Sequence, residues 1–524
     1  MFYYRNLLRI TMRNLYIYKP LTASILLGMM AVSASTMAAE PSDFSNQPSN
    51  DQATELLKRE NQSTLSDPTA PSNVVSSQEA REAINSRQQL AAATAYNLEA
   101  LKADPVAFSQ YLNAALAAQD METVKQLLPH YKALKGHDPM LINFADALVY
   151  RSEAKNKQAI AIYRTMLAAD PDFHPVRLNM AMALQADKQY AAAKDQLQKL
   201  KAVDLPPPVL ASVQNSLTQI NELEEWRFDG SISYVRDDNI NDVPSRRLET
   251  DIGKTPEQIS ANGIQVSGSA NKRINLPQNF YATVGGNASL RGYWDESDYN
   301  DYLLTASTGV GYDDAKNDIS VTPFFTKRIY DEDPYSSRKG VTLSGSRWIK
   351  PSIRLTATGI LSNETIDDDE EDLREIDGRY LGLNTLYLKD PTQYFYGGID
   401  TYRNDAPKSN VLSYDRHGIN VGWGREWKRG ISTLATVGYA VKNYDDVSGD
   451  FPADSFYYKA LDAEFGSDRE DKTASLGLQI WKRDFTLYGL TPRLVMNYDQ
   501  TSSNYGYYDD RNEKSATVLL TKTF

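Results

Sequence analysis

The most constraining feature of this sequence is an unbroken alternation of apolar and polar or small side chains from residue 280 to residue 291. Such a period of two is typical of a β-strand whose two faces meet different surroundings. Strands of soluble proteins usually end after about five or six residues, whereas a strand that crosses a bilayer at a tilt needs about 9 to 11. The run therefore predicts a membrane-crossing strand. Its apolar face consists of Phe280, Ala282, Val284, Gly286, Ala288 and Leu290.

Similar alternation recurs through residues 225–524, where fourteen segments can be placed. An even number of antiparallel strands brings both ends of a closed barrel to the same side of the membrane. We therefore predict an antiparallel transmembrane β-barrel of about 14 strands. Two segments alternate poorly, 337–349 and 394–404, so a count of about twelve to sixteen stays open. The predicted strands are 226–236, 261–273, 280–292, 300–313, 317–330, 337–349, 352–365, 378–389, 394–404, 412–427, 431–443, 470–482, 488–502 and 513–524.

The connections between these segments alternate in length, which predicts the orientation of the barrel. Connections such as 277–278 are short and have Lys or Arg residues close to them. Connections such as 237–260 and 444–469 are long and acidic. Bacterial barrels have short periplasmic turns and longer external loops. The pattern makes 331–336 a long loop and 483–486 a short turn, and it predicts that the segment before the first strand lies in the periplasm.

Composition excludes several other classes of protein. The formal net charge of −12 argues against nucleic-acid binding, which requires basic patches. The chain has no cysteine, which excludes disulfides, thiolate metal sites and acylation of the chain itself. No apolar run long enough for a spanning helix occurs beyond the N terminus, which excludes a helical membrane protein.

Aromatic residues are unevenly distributed along the chain. All six Trp and 23 of the 33 Tyr lie from residue 226 onward. Aromatic girdles at the two membrane interfaces would explain this skew. An aromatic-rich soluble β-sandwich is the alternative.

The N-terminal residues predict export from the cytoplasm. Residues 1–39 have a basic beginning, an apolar stretch over 21–32 and small residues around Ala38, which together predict a secretory signal peptide. A membrane anchor is the alternative. Residues 40–78 are rich in Ser, Asn, Gln, Asp and Pro and are predicted to form a disordered linker.

Residues 79–224 predict a periplasmic helical domain with tetratricopeptide-like repeats. Asp-Pro pairs begin at residues 104, 138 and 170, close to the 34-residue period of that repeat, in which a Pro closes the second helix of each unit. The Trp and Gly of the consensus are missing, and a plain helical bundle is the alternative. A further helix is predicted after Pro206-Pro207-Pro208. The predicted packing positions are Tyr150, Ala159, Tyr163, Ala181, Leu184, Ala193 and Leu197.

The polar faces of the predicted strands indicate a conduit. A barrel of fourteen strands is wide enough to hold more than packed side chains, so a water-filled, gated or loop-plugged lumen is predicted. The candidate lumen-facing residues are Asn287, Arg291, Arg328, Arg493 and Asn497. The last strand ends in an aromatic residue, the usual signal for insertion of such barrels, and the candidate signal residues are Val518, Leu520 and Phe524.

No constellation predicts catalysis, a metal site or a cofactor. His417, the one barrel histidine, alternates with Ile419 and is expected to face lipid, which counts against a surface enzyme. The acidic run 367–372 is predicted to be a solvated loop rather than a cation site. Residues 236–244, after the first strand, predict either a plug in the lumen or a structured hairpin loop.

The signal peptide, the Asp-Pro repeats, the segment 236–244 and the barrel ending in Phe524 together resemble the surface lipoprotein assembly modulator (Slam) family over residues 79–524. The resemblance implies an outer-membrane translocon that moves lipoproteins, or secreted haem-acquisition proteins, to the cell surface. It implies that the helical repeats engage the client and that the barrel provides the passage, with periplasmic chaperones, the barrel-insertion machinery and outer-membrane lipid as further partners. A polysaccharide-export porin with periplasmic repeats is the alternative.

Overall fold

Most of the chain after residue 97 is described by a computed structural model. By their contacts these residues divide into a helical unit, which runs to Glu224, and a unit of strands from Glu225 onward, with the short segment Asn275–Phe280 grouped with the first. No helix in the described ranges is long and apolar enough to cross a membrane. The predicted signal peptide and linker lie outside the described residues. The described ranges are 98–241, 249–250, 253–254, 257–367, 375–390, 392–407, 412–445, 469–504 and 511–523.

The helical unit consists of helical hairpins of tetratricopeptide type, as predicted. Helices α2 and α3, α4 and α5, and α6 and α7 are each joined by a short turn, and α8 follows the run of three prolines. The described helices are α1 Leu98–Ala103, α2 Pro105–Ala117, α3 Met121–Lys132, α4 Pro139–Ser152, α5 Asn156–Ala169, α6 His174–Ala186, α7 Tyr190–Lys201 and α8 Pro207–Glu222.

The core of the helical unit forms where the large and small packing positions were predicted. Tyr150 is only partly buried, while the other six predicted positions have no exposed surface. Small alanines opposite large side chains let neighbouring helices approach closely. The fully buried positions are Ala159, Tyr163, Ala181, Leu184, Ala193 and Leu197.

The Asp-Pro pairs lie at helix boundaries, but two of the three begin a helix rather than close one. Asp104 caps α2 by accepting hydrogen bonds from the amides of Val106 and Ala107, and Asp138 caps α4 by accepting one from the amide of Met140. Each following Pro occupies the first helical turn, where its missing N–H is not needed. Only Asp170 lies at the C-terminal end of a helix, α5.

The turn inside each hairpin contains one residue in the left-handed region. These residues are Gln119 (φ 54°), Ala154 (φ 56°) and Lys188 (φ 59°). Their spacing repeats the period of the Asp-Pro pairs, so the repeat is more regular in conformation than in sequence. A Gly would be the residue best suited to this conformation because it has no Cβ.

We expect Ala154→Gly to raise the free energy of unfolding of the helical unit by about 0.5 to 1 kcal/mol, because it removes left-handed strain. Ala161→Gly, the same change at an exposed position inside α5, should lower it by about as much. Urea unfolding of the full chain, followed by helix-sensitive circular dichroism, measures both. Shifts of the same sign would contradict the assignment of strain to the turn.

The strand unit is a closed antiparallel barrel of fourteen strands, and this confirms the predicted fold. Successive strands of the barrel pair with each other, and the barrel closes where the first strand, β1, pairs with the last, β16. Strands β2 and β3 form a separate small sheet. The strands are β1 Trp226–Asp237, β2 Glu249–Thr250, β3 Gly253–Lys254, β4 Ala261–Asn275, β5 Phe280–Tyr293, β6 Asp301–Asp313, β7 Asn317–Tyr330, β8 Asp333–Lys350, β9 Ile353–Ile366, β10 Ile376–Asp390, β11 Gln393–Asp405, β12 Tyr414–Glu426, β13 Ile431–Tyr444, β14 Glu470–Lys482, β15 Thr491–Ser503 and β16 Arg511–Thr523.

The outer face of the barrel is exposed and apolar. Successive side chains of a strand point to opposite faces, and exposed apolar residues recur at every second position, as with Ile319 and Val321 in β7. An exposed apolar surface of this extent requires lipid rather than water around it. Other residues of this face include Val284, Leu290, Val310, Phe325, Leu361, Leu381, Ile399, Ile419, Val437, Leu476 and Val518.

Part of the tyrosine skew has a cause on the inner face of the barrel. Several tyrosines lie on the inner face and are buried there, and Tyr394 and Tyr396 cover Gly424 and Gly422 of the neighbouring strand. A Cβ at either glycine would overlap the tyrosine ring. Both positions therefore require glycine while the rings lie against them. The buried inner tyrosines include Tyr281, Tyr293, Tyr380, Tyr396, Tyr402 and Tyr444.

Two predicted connections have the wrong length. The predicted long loop 331–336 is a tight turn of Asp331 and Glu332, both at positive φ, and β8 begins at Asp333. The polar residues that follow lack apolar alternation, yet they pair with β7 and β9, because a strand that extends past the bilayer needs no apolar face. The predicted short turn at 483–486 extends instead to Leu490.

Candidate functional site

The inner wall of the barrel is the candidate functional site, because its side chains are polar and charged where the outer face is apolar. We call the end with the connections β4–β5, β6–β7 and β8–β9 the turn end, and the opposite end the loop end. Buried ion pairs occur toward both ends. They join Arg273 to Asp313, Arg328 to Asp301, Arg338 to Glu364, Arg416 to Asp400 and Arg469 to Asp471.

Arg328 forms a two-pronged ion pair with Asp301 near the loop end. Its Nε donates to one carboxylate oxygen at 2.8 Å and its Nη2 to the other at 3.0 Å. The rings of Tyr330 and Tyr335 lie 5.3 and 5.5 Å from the guanidinium carbon. Paired hydrogen bonds and aromatic contacts fix the plane of a guanidinium, so this charge is held rigidly between β6 and β7.

Arg338 and Glu364 join β8 to β9 in the same layer. The guanidinium donates to the Glu364 carboxylate at 2.5 and 3.1 Å, and the Ser336 hydroxyl donates to the other oxygen at 2.6 Å. Both charged side chains are only 3% exposed. A buried pair of this kind is tolerated because each charge has a partner and further hydrogen bonds.

The connection between β11 and β12 is anchored to this layer at both of its described ends. Asn404 donates to the carbonyl of Leu412 at 2.7 Å, and the Ser413 hydroxyl accepts from the amide of Ala406 at 2.9 Å. Leu412 is 2% exposed and Ser413 1%. The described residues on both sides of this connection are therefore packed at the loop end.

A second network lies at the turn end. Arg273 pairs with Asp313 at 2.9 Å, and its guanidinium carbon lies 4.0 Å from the centre of the Tyr281 ring. The Tyr281 hydroxyl donates to Asp318 at 3.1 Å. Arg354 donates to the hydroxyl of Ser346 at 2.6 Å. Side chains from β4 to β9 thus contact one another across the inner face.

The five predicted lumen residues all lie on the face opposite the exposed apolar side chains. Arg328 is paired as described above, whereas Arg493 lies 4.8 Å from the Trp481 ring and donates to Thr521. Asn497 donates weakly to Ser515 at 3.4 Å. Asn287 and Arg291 are partly buried in β5. That these residues line a route for a client stays a prediction.

The other predicted sites are distributed as follows. Val518 is 53% exposed on the outer face and Leu520 is partly buried beside it, while Phe524 lies outside the described residues. His417 is exposed and is the register partner of Thr401 and Val441.

The two polar segments that sequence reasoning singled out are only partly described. Asp367, the first residue of the acidic run, accepts from Lys327, and the rest of that run lies outside the described residues. In the segment after β1, Arg236 pairs with Asp238 at 2.9 Å. Among the described residues no group of three His, Asp or Glu side chains is arranged to hold a metal ion.

Sequence reasoning missed most partners of the buried ion pairs. Asp301, Glu364, Asp400 and Arg416 fall within or beside predicted strands, but none was proposed as a lumen residue. Their positions in the alternating pattern of each strand could have been used to predict that they lie on the inner face. The pairing of these charged side chains depends on the register between strands, and that register cannot be read from local sequence.

The closed fourteen-strand sheet, the exposed apolar outer face and the polar inner wall define an outer-membrane β-barrel preceded by tetratricopeptide-like repeats. A family model described as "Surface lipoprotein assembly modifier" matches residues 226–524, and one described as "Surface lipoprotein assembly modifier, N-terminal TPR repeats" matches residues 94–197. The chain belongs to the surface lipoprotein assembly modifier family.

Individual relatives agree with this assignment. "Surface lipoprotein assembly modifier 1" of Haemophilus influenzae is 30% identical, over 81% of this chain and 86% of the relative. The protein of the same name from Neisseria meningitidis serogroup B is 29% identical, over 81% and 84%. The "Hemophilin secretion modulator" of Acinetobacter baumannii is 23% identical, over 74% and 80%. These relatives are named as assembly modifiers or as a secretion modulator.

We expect Arg338→Met to destabilise the barrel by about 3 to 5 kcal/mol, because it leaves the buried Glu364 carboxylate uncompensated. Adding Glu364→Leu should recover most of that loss. Arg379→Met is the matched control, since Arg379 is 64% exposed and lies 3.8 Å from Asp405, and it should cost less than about 1 kcal/mol. Urea unfolding of barrels folded into phospholipid vesicles measures all three. Equal losses for Arg338→Met and Arg379→Met would contradict the prediction.

Proposed function

We propose that this protein carries specific polypeptide clients, either lipoproteins or soluble secreted proteins, from the periplasm across the outer membrane to the cell surface. The observation that carries the proposal is the match of both units to one family, whose relatives are named for surface lipoprotein assembly and for hemophilin secretion. The polar inner wall supports it, because a polypeptide backbone can cross a membrane only in a polar or self-paired environment.

The proposal includes an orientation. Most connections at the loop end are longer than those at the turn end, apart from the tight β7–β8 turn and the extended β14–β15 turn. Long loops face outward in bacterial outer-membrane barrels. The chain enters β1 at the turn end directly after the helical unit, and the helical unit therefore lies in the periplasm.

In this arrangement the helical unit binds the client in the periplasm, and the client then moves through the barrel. Stacked helical hairpins offer extended surfaces that bind polypeptides. We include a periplasmic chaperone as the source of the unfolded client, and the barrel-insertion machinery as the partner that reads Val518, Leu520 and the terminal Phe524. Asn287, Arg291, Arg328, Arg493 and Asn497 form part of the wall that the client passes.

We expect deletion of the gene to remove particular lipoproteins or secreted proteins from the cell surface while their total cellular amounts persist. Intact cells are treated with protease, and the released peptides are compared with those of the parent by mass spectrometry. Porin peptides should be unchanged, which controls for the integrity of the outer membrane. A chain lacking residues 98–222 should insert as a barrel and still fail to restore the lost surface proteins.

Two outcomes would contradict the proposal. One is an unchanged set of surface and secreted proteins accompanied by a fall in exported polysaccharide, as the alternative of a polysaccharide-export porin requires. The other is full rescue by the chain that lacks the helical unit, which would remove the proposed role of the repeats.

A further inference from the structure

The barrel closes through one junction that is much less complete than its neighbours. Strand β1 pairs with β4 over twelve residues, and β16 pairs with β15 over eleven. Between themselves β1 and β16 pair over only five residues, from Asp229–Thr523 to Ser233–Leu519. We call this junction the seam. Both strands are fully formed, so the short pairing belongs to the junction and not to either strand.

The missing pairs lie at the loop end of the seam. Continuing the register would bring Tyr234 opposite Val518 and Val235 opposite Thr517, and all four residues are described, but the ladder ends at Ser233. In its place the Thr517 hydroxyl donates to the carbonyl of Tyr234 at 2.8 Å. The two strands therefore remain close just past the last pair, held by a side chain instead of by backbone hydrogen bonds.

Among the described residues, side chains beside this part of the seam other than Thr517 do not replace the missing ladder. Ser515 and Ala516 are adjacent and point to opposite faces of β16, yet both are exposed. Lys514 lies over the ring of Tyr498 on β15, on the side away from β1. Arg236 pairs with Asp238 of its own segment. Because these side chains are small or contact partners away from the seam, few side-chain interactions would have to break for this half of the seam to separate.

The outer face beside the seam is apolar, and the inner face is not. Ile232 and Leu520 are register partners on the outer face, with the exposed Tyr234 and Val518 next along it. On the inner face Ser233, Ser515 and Thr517 adjoin the polar wall. A gap here would connect a polar lumen with the hydrocarbon of the bilayer.

We propose that the loop-end half of the seam opens sideways and is the exit for the acyl chains of lipidated clients. This inference rests on the proposed function. The polypeptide of a lipoprotein suits the polar lumen, but its acyl chains are costly to remove from hydrocarbon. An opening in the wall lets the acyl chains remain in the bilayer while the attached polypeptide crosses inside. The five pairs at the turn end stay formed and keep the barrel closed there.

A reversible disulfide across the seam tests this, because the chain contains no cysteine of its own. The lock is Val235→Cys with Thr517→Cys, and a second lock on the outer face is Tyr234→Cys with Val518→Cys. The matched control is Ser233→Cys with Gln265→Cys, which joins β1 to its other neighbour at a pair that is already in register. Heat-dependent gel mobility verifies that each variant folds as a barrel.

The probe is a lipoprotein that deletion of the gene removes from the surface, made in two forms. One form keeps its acyl chains, and the other is exported without them from a non-lipoprotein signal peptide. With the seam oxidised, surface exposure of the acylated form should fall to the level of the deletion strain, and the form without acyl chains should reach the surface as with the unlocked chain. Reduction should restore the acylated form, and the control disulfide should affect neither.

Equal export of the acylated form by locked and unlocked chains would overturn the seam proposal. So would an equal block of both forms, because it would indicate that the lock closes the lumen. If deletion of the gene removes no lipoprotein or secreted protein from the surface, the proposed function is overturned, and the seam proposal with it.

Discussion

The structure depends on one constraint: inside a bilayer every backbone N–H and C=O group must be paired within the protein. A single strand has two unpaired edges, and only a sheet that closes on itself removes both. The fourteen strands satisfy the constraint by pairing each with its sequence neighbours and then β1 with β16. Closure therefore depends on all fourteen strands. The requirement for backbone pairing is satisfied least completely at the seam, where the first and last strands join.

Closure also decides where the charges go. Because side chains alternate along a strand, an apolar outer face leaves the remaining positions to the interior. Arg328, Arg338 and Arg416 lie there in pairs with carboxylates from neighbouring strands. These pairs, and tyrosines such as Tyr396 over Gly422, connect adjacent strands along the inner face.

The agreement between predicted and observed strands is close where lipid imposes a pattern and poor where it does not. The predicted strand 280–292 matches β5 to within one residue. By contrast the first residues of β8, among them Pro334 and Ser336, carry no alternation because they extend past the bilayer. In the helical unit the Asp-Pro period was visible, but the left-handed turn was not, since Gln119, Ala154 and Lys188 occupy positions where Gly is the usual signal.

The sequence by itself determined the class of protein: a membrane barrel of about fourteen strands, its two faces and the helical repeats before it. These follow from local periods of two residues within strands and about 34 residues between repeats. Only the tertiary structure decided which charges pair, and over how many residues β1 and β16 are joined. Those contacts depend on register between residues distant in sequence, such as Thr517 and Tyr234, and register is set by closure of the whole sheet.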